Sequence, residues 1–94
     1  LKLEEPSLDL ALVAAVLSSF YDRPLPEKAV FWGEVDLSGQ VRPVMGHEVR
    51  LRQARQLGYD PIFCPVQPDQ QSGPGSGHEV GNIQKLLSSL FPSR

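Results

Sequence analysis

The sequence predicts one α+β domain, a mixed sheet packed with helices, and three observations carry that reading. Helix-like and strand-like stretches interleave along the chain instead of falling into separate blocks. Ser38-Gly39 separates two β-prone runs, a hairpin signal. The stretch from Ser7 to Phe20 is apolar on nearly every side, and such a helix needs a sheet and neighbouring helices to cover it. At 94 residues there is room for one core, because a chain of this size buries roughly 60–68% of its unfolded surface.

The elements follow in order. Pro6 suits the first position of a helix, where a missing N–H costs nothing, and the apolar run then carries the helix from Ser7 to about Phe20. Asp9 falls in its first turn, where the helix dipole favours a carboxylate and a cap role is expected. Pro24 and Pro26 push their predecessors out of helical geometry, so the segment from Tyr21 to Lys28 is a loop. "AVFWGEVDL" has strand composition, with Val35 and Leu37 on one face and Glu34 and Asp36 on the other. Pro43 removes a ladder donor, which keeps the second hairpin strand short or at an edge. A second helix runs from about His47 to Leu57, with Leu51, Ala54 and Leu57 toward the core and Gly58 ending it in the left-handed region. "PIFCPV" reads as a buried strand, and residues 67–77 are too rich in Gly, Pro and polar groups to pack and are expected to form a flexible loop. "HEV" suits a last short strand. Asn82 caps a closing helix whose Ile83, Leu86, Leu87 and Leu90 make one apolar stripe.

Composition excludes several function classes. No apolar run approaches the roughly 20 residues of a membrane span, and the first residues lack the basic start and apolar core of a secretory signal. The chain starts without Met, in what reads as the end of a strand, so a piece of a longer protein is expected, with strands preceding Leu1. Cys64 is the single cysteine, in a buried-strand pattern, and reads as a structural thiol. His47 and His78 are the only histidines, so no metal constellation assembles by spacing. A reducing cytoplasm suits these features. The net charge of −2 argues against indiscriminate nucleic-acid binding. Between Gln40 and Leu57, however, Arg42, Arg50, Arg52 and Arg55 stand against Glu48 alone, a locally basic stretch on an acidic body.

"EEPSLDLALVAAVLSSFYDRPLP", "GEVDLSGQVRPV" and "RLRQARQLGY…IFCP" together resemble the C-terminal domain of the RadA (Sms) family of bacterial DNA-repair proteins, over Leu1 to Phe91. That domain is similar to the proteolytic domain of Lon proteases, and the resemblance implies a Lon-protease-like fold. It also implies a longer parent with a zinc-binding N-terminus and a RecA-like ATPase. This sequence has neither a CxxC pair nor a glycine-rich stretch ending in Lys-Ser or Lys-Thr. Zinc, ATP and magnesium are therefore expected only in that preceding part, with no cofactor in this domain. The implied partners are copies of itself in a hexameric ring, single-stranded or branched DNA and a recombinase filament, with no membrane. A fragment lacking its first strands is expected to expose apolar surface and to dimerise.

Likeness to Lon puts the dyad serine on Ser7 and the dyad lysine on Arg50. A Ser–Lys dyad works because a desolvated lysine can release its proton and accept another from the hydroxyl. Arginine, with a pKa above about 12, keeps its proton and has no acceptor lone pair. The domain is therefore expected to be non-catalytic, with Ser7 an ordinary polar residue of the first helical turn. Arg50 is expected to sit partly buried and to pair with an acid such as Asp9 or Glu34. Arg42, Arg50, Arg52 and Arg55 become the candidate nucleic-acid contacts, since a guanidinium fork suits phosphate. The expected function is an oligomerisation scaffold and DNA-contact module of a repair and recombination ATPase. The alternatives are a Ser-type peptidase with an altered dyad, and a protein-interaction module without DNA contact.

Overall fold

In the computed structural model, which describes residues 7–66 and 78–92, three helices and six short strands alternate. Strand β1 (Leu8–Asp9) leads directly into α1 (Leu10–Tyr21), followed by β2 (Val30–Phe31), β3 (Glu34–Val35) and β4 (Val41–Arg42). Helix α2 (His47–Gln56), β5 (Ile62–Cys64), β6 (His78–Glu79) and α3 (Ile83–Leu90) complete the order. The expected α+β class holds. The single mixed sheet does not: β1-β3-β4 form an antiparallel sheet and β2-β5-β6 a parallel one.

Gly33 is the reason for the division. The run read as one strand breaks there, because Gly33 adopts φ +140° and redirects the chain from β2 in one sheet to β3 in the other. A Cβ at this position would lie 3.0 Å from Val41 Cγ1 and 3.1 Å from Pro65 Cγ, so only glycine lets the two sheets close on each other. The Gly33 carbonyl also accepts the N–H of Leu10 at 2.9 Å, tying the start of α1 to the same point. On the far side, β4 meets the segment before α3: Val41 N–H donates to Gly81 O and Ile83 N–H to Gly39 O.

The first helix starts three residues later than its apolar pattern suggests. Leu8 pairs with Val35 and Asp9 with Glu34, so Ser7 precedes a strand and is not in a helical turn. Asp9 is the N-cap instead, accepting the Ala11 N–H at 2.7 Å, which satisfies one of the donors a helix start leaves open. Within this chain α1 is covered on one side and not on several, and the exposed apolar surface expected of this piece lies on its other side. Leu10, Val13 and Ala14 are buried, whereas Leu12, Val16 and Phe20 are exposed, Phe20 by 77%.

Among the described residues two apolar clusters form the core. Leu10, Val13, Ala14, Val35, Val41, Phe63, Val80 and Leu86 make the larger one, beneath α1 and α3. Trp32, Ala54, Ile62 and Cys64 make the smaller, beneath α2. The hairpin, the short strand before Pro43, the β5 strand, the strand at His78–Glu79 and the Asn82 cap (accepting Lys85 N–H at 2.8 Å) stand as the sequence reads. Leu57, expected inward, is exposed where it ends α2 just before Gly58 at φ +82°, and Leu37, expected on one strand face with buried Val35, is exposed in the hairpin turn. Pro6 and residues 67–77 lie outside the described residues.

Candidate nucleic-acid interface

Helix α2 carries the basic residues because its sequence splits them from a narrow apolar seat. Ala54 is buried and Leu51 half-buried against the Trp32 cluster, while Arg50, Arg52 and Arg55 are exposed. Glu48 in the first turn and Arg55 in the last match the helix dipole. Gly46, at φ +78°, precedes the helix without a side-chain cap. Among the described residues, Arg50, Arg52 and Arg55 take part in no ion pair. Arg50 is not partly buried, nor joined to Asp9 or Glu34; its Nε donates to Met45 O, a long contact of 3.4 Å. The reason is position: Asp9 is occupied as a cap on α1, whereas Arg50 lies beside the groove between β2 and α2.

Arg42 stands apart from that helix. It lies on β4, and its Nε donates to Asp36 Oδ2 at 2.7 Å. Asp36 Oδ1 accepts the Ser38 hydroxyl at 2.7 Å and the N–H groups of Ser38 and Gln40 at 3.0 Å each. The Ser38 hydroxyl leads, with the Arg42 guanidinium and the two backbone donors assisting, in holding the Asp36 carboxyl down at about 2 against a smaller opposing effect of desolvation. The hairpin turn thus uses Arg42 to brace itself.

Ser7 and Arg50 line different grooves. Ser7 lies with Leu8, Leu12, Val16, Val35 and Leu37 along an apolar groove of about 400 Å³ between α1 and the hairpin. Arg50 lies with Phe31, Trp32, Gln53, Leu57 and Tyr59 along one of about 190 Å³ between β2 and α2. Cys64, at 0% exposure, fills core space, and burial, with Glu79 nearby, pushes its thiol up to about 11. No group of three or more candidate metal-ligating residues occurs among the described residues. No helix among them is long and apolar enough to cross a membrane.

One contact was not legible in the sequence. Trp32 Nε1–H donates to His47 Nδ1 at 3.1 Å, joining the residue before Gly33 to the first residue of α2. The only sequence signal for it is a lone tryptophan beside a glycine, which marks a packed junction and gives no partner.

Residues 1–68, most of the chain, match the family described as subunit ChlI of Mg-chelatase, and the chain belongs to that family. Its curated relatives carry the name that the sequence motifs suggested, DNA repair protein RadA. The chain is 37% identical to that of Escherichia coli over 89 residues, 95% of this chain and 19% of that protein. It is 37% identical to that of Pseudomonas aeruginosa over 92 residues, 96% and 20%. With that of Rickettsia bellii it shares 44% over 64 residues, 68% and 14%. The chain thus spans a fifth or less of the length of these relatives.

Proposed function

We propose that this chain is a non-catalytic, Lon-protease-like scaffold and DNA-contact module of a RecA-like ATPase in DNA repair and homologous recombination. The observation that carries the DNA part is the exposed trio Arg50, Arg52 and Arg55 on one short helix, outside any ion pair of the described residues. Guanidinium groups set this way pair with phosphate oxygens whatever the base sequence, which a motor travelling along single-stranded or branched DNA requires. On a body of net charge −2 one such patch binds weakly. Copies repeated around a hexameric ring multiply it through effective concentration.

The exposed apolar side of α1, with Leu12 and Val16 beside Leu8 and Leu37, supports the scaffold part, since an apolar face of this kind marks a surface for association. The non-catalytic reading rests on chemistry and placement together. Arg50 offers no lone pair to take a proton, and Ser7 lines another groove. In the parent, ATP hydrolysis with magnesium and zinc binding belong to the part beyond this chain. The reading places that parent in the cytoplasm, acting beside a recombinase filament.

Replacing Arg50, Arg52 and Arg55 together by alanine tests the DNA part in the parent. The expected result is a slope of log affinity against log salt shallower by about 2–3, close to one for each phosphate no longer neutralised. An unchanged slope refutes it. Ring formation followed by sedimentation, with and without this domain, tests the scaffold part, and rings that form equally well without it refute that.

A further inference from the structure

We propose that His47 is a protonation-sensitive latch that seats the first turn of α2 against Trp32. An indole N–H only donates, so the imidazole nitrogen receiving it must carry no proton. His47 Nδ1 receives it at 3.1 Å, which fixes the neutral ring with its proton on Nε2. An imidazolium bears N–H groups on both nitrogens, so charging His47 sets two donors against each other across this contact. Trp32 is 4% exposed, and its N–H then has little water to turn to. The contact runs through the N–H edge of the indole, with the rings at 64° and 5.7 Å, so the charged ring gains no place over the indole face.

The contact shares this turn with Arg50, whose backbone N–H donates to Gly46 O at 2.9 Å and whose Nε donates to Met45 O at 3.4 Å. Helix α2 has no side-chain cap, and Gly46 before it stands at φ +78°, so no side-chain cap bond ties the start of this turn. Trp32 shares an apolar cluster with Ala54, Ile62 and Cys64, against which Val30, Val44 and Leu51 pack, so its apolar neighbours come from β2, the β4–α2 connection, α2 and β5. Of these only Cys64 titrates, and it remains a thiol until strongly alkaline pH. On α2 itself Glu48 and Arg50 are the neighbouring charges, both exposed, and Tyr59 lines the groove beyond Arg50. Among the described residues no carboxylate lies in ion-pair reach of the imidazole to welcome its charge. His47 stands three residues before Arg50, so releasing this turn moves the basic helix. That last consequence for DNA rests on the function proposed above; the latch does not.

Trp32 is the only tryptophan, so its emission and its indole N–H resonance in the intact chain report on this one contact. Between pH 8 and pH 5 both signals are expected to shift in one transition that follows the protonation of His47 seen by NMR. At pH 8 the ring nitrogens should show the Nε2–H tautomer. His47→Asn sets an amide oxygen near the place of Nδ1 and does not titrate, so it should keep the pH 8 signals throughout. His47→Phe keeps a ring without the acceptor and should show the pH 5 signals throughout. A wild-type indole that ignores the His47 titration overturns the latch, as does a His47→Asn chain that retains the transition. Affinity for a single-stranded oligonucleotide is expected to change at least threefold over the same interval in the wild type and to stay level in His47→Asn. If the indole shifts and affinity does not follow, the latch stands and its bearing on DNA is refuted.

Discussion

Helices α1 and α2 are built on opposite plans. From Leu10 to Tyr21, α1 carries no charged residue, burying Leu10, Val13 and Ala14 while leaving Leu12, Val16 and Phe20 in the open. Helix α2 buries Ala54 alone and spends its outer turns on Glu48, Arg50, Arg52 and Arg55. The first is anchored deeply and presents a surface that water disfavours; the second is anchored lightly and presents one that water tolerates. A helix of the first kind is suited to permanent association, and one of the second kind to contacts that salt can make and break. Anchoring and surface chemistry therefore differ sharply between two helices of similar length in one small domain.

Mutation can break this contrast at its strongest point. Leu10→Ala empties a fully buried site and should cost about 2–5 kcal/mol in urea unfolding, whereas Leu12→Ala, on the exposed side of the same helix, should stay within about 0.5 kcal/mol. Equal losses would mean that both faces of α1 are covered. Gly33→Ala comes next, at roughly 1–3 kcal/mol, because the new methyl meets Val41 and Pro65 in a backbone conformation that alanine resists. A neutral Gly33→Ala would show that the two sheets can part at this point without penalty. Asp9→Ala removes the cap that α1 has and α2 lacks, and should cost about 1 kcal/mol.

The smallest effect is read in pH. Folding holds the Asp36 carboxyl at about 2, below the 3.8 of a free side chain, so the stability this contributes is complete above pH 4. It is lost as pH falls from about 4 through 2, when the unfolded chain binds the proton first. Acid unfolding of Asp36→Asn should lack that part of the decline. An identical pH profile would show that the turn around Asp36 gains nothing from the charge.

Much of the architecture was legible because it is written locally. Asn82 ahead of an apolar stripe, Gly58 after a helical one, and Ser38-Gly39 between β-prone runs each act within a few residues, and each stands where expected. What escaped depends on distant partners. Leu8 and Asp9 look helical until Val35 and Glu34 claim them as a strand, 25 or more residues later. "AVFWGEVDL" looks like one strand because the clash that reserves position 33 for glycine comes from Val41 and Pro65. At the candidate site, the exposure of Arg52 and Arg55 follows from helical spacing. The position of Arg50 was misread because its acid partners were assigned by type, without knowing that Asp9 had a cap to make. His47 and Trp32 meet across 15 residues with no repeating pattern to announce it.

The junction at Gly33 has a consequence for how the molecule comes apart. Its backbone feeds β2 on one side and β3 on the other, and its carbonyl holds the amide of Leu10. Opening either sheet at this point pulls on the other and on the root of α1. Amide protons of the two sheets should therefore exchange with deuterium at a common free energy, so the domain opens as one cooperative body.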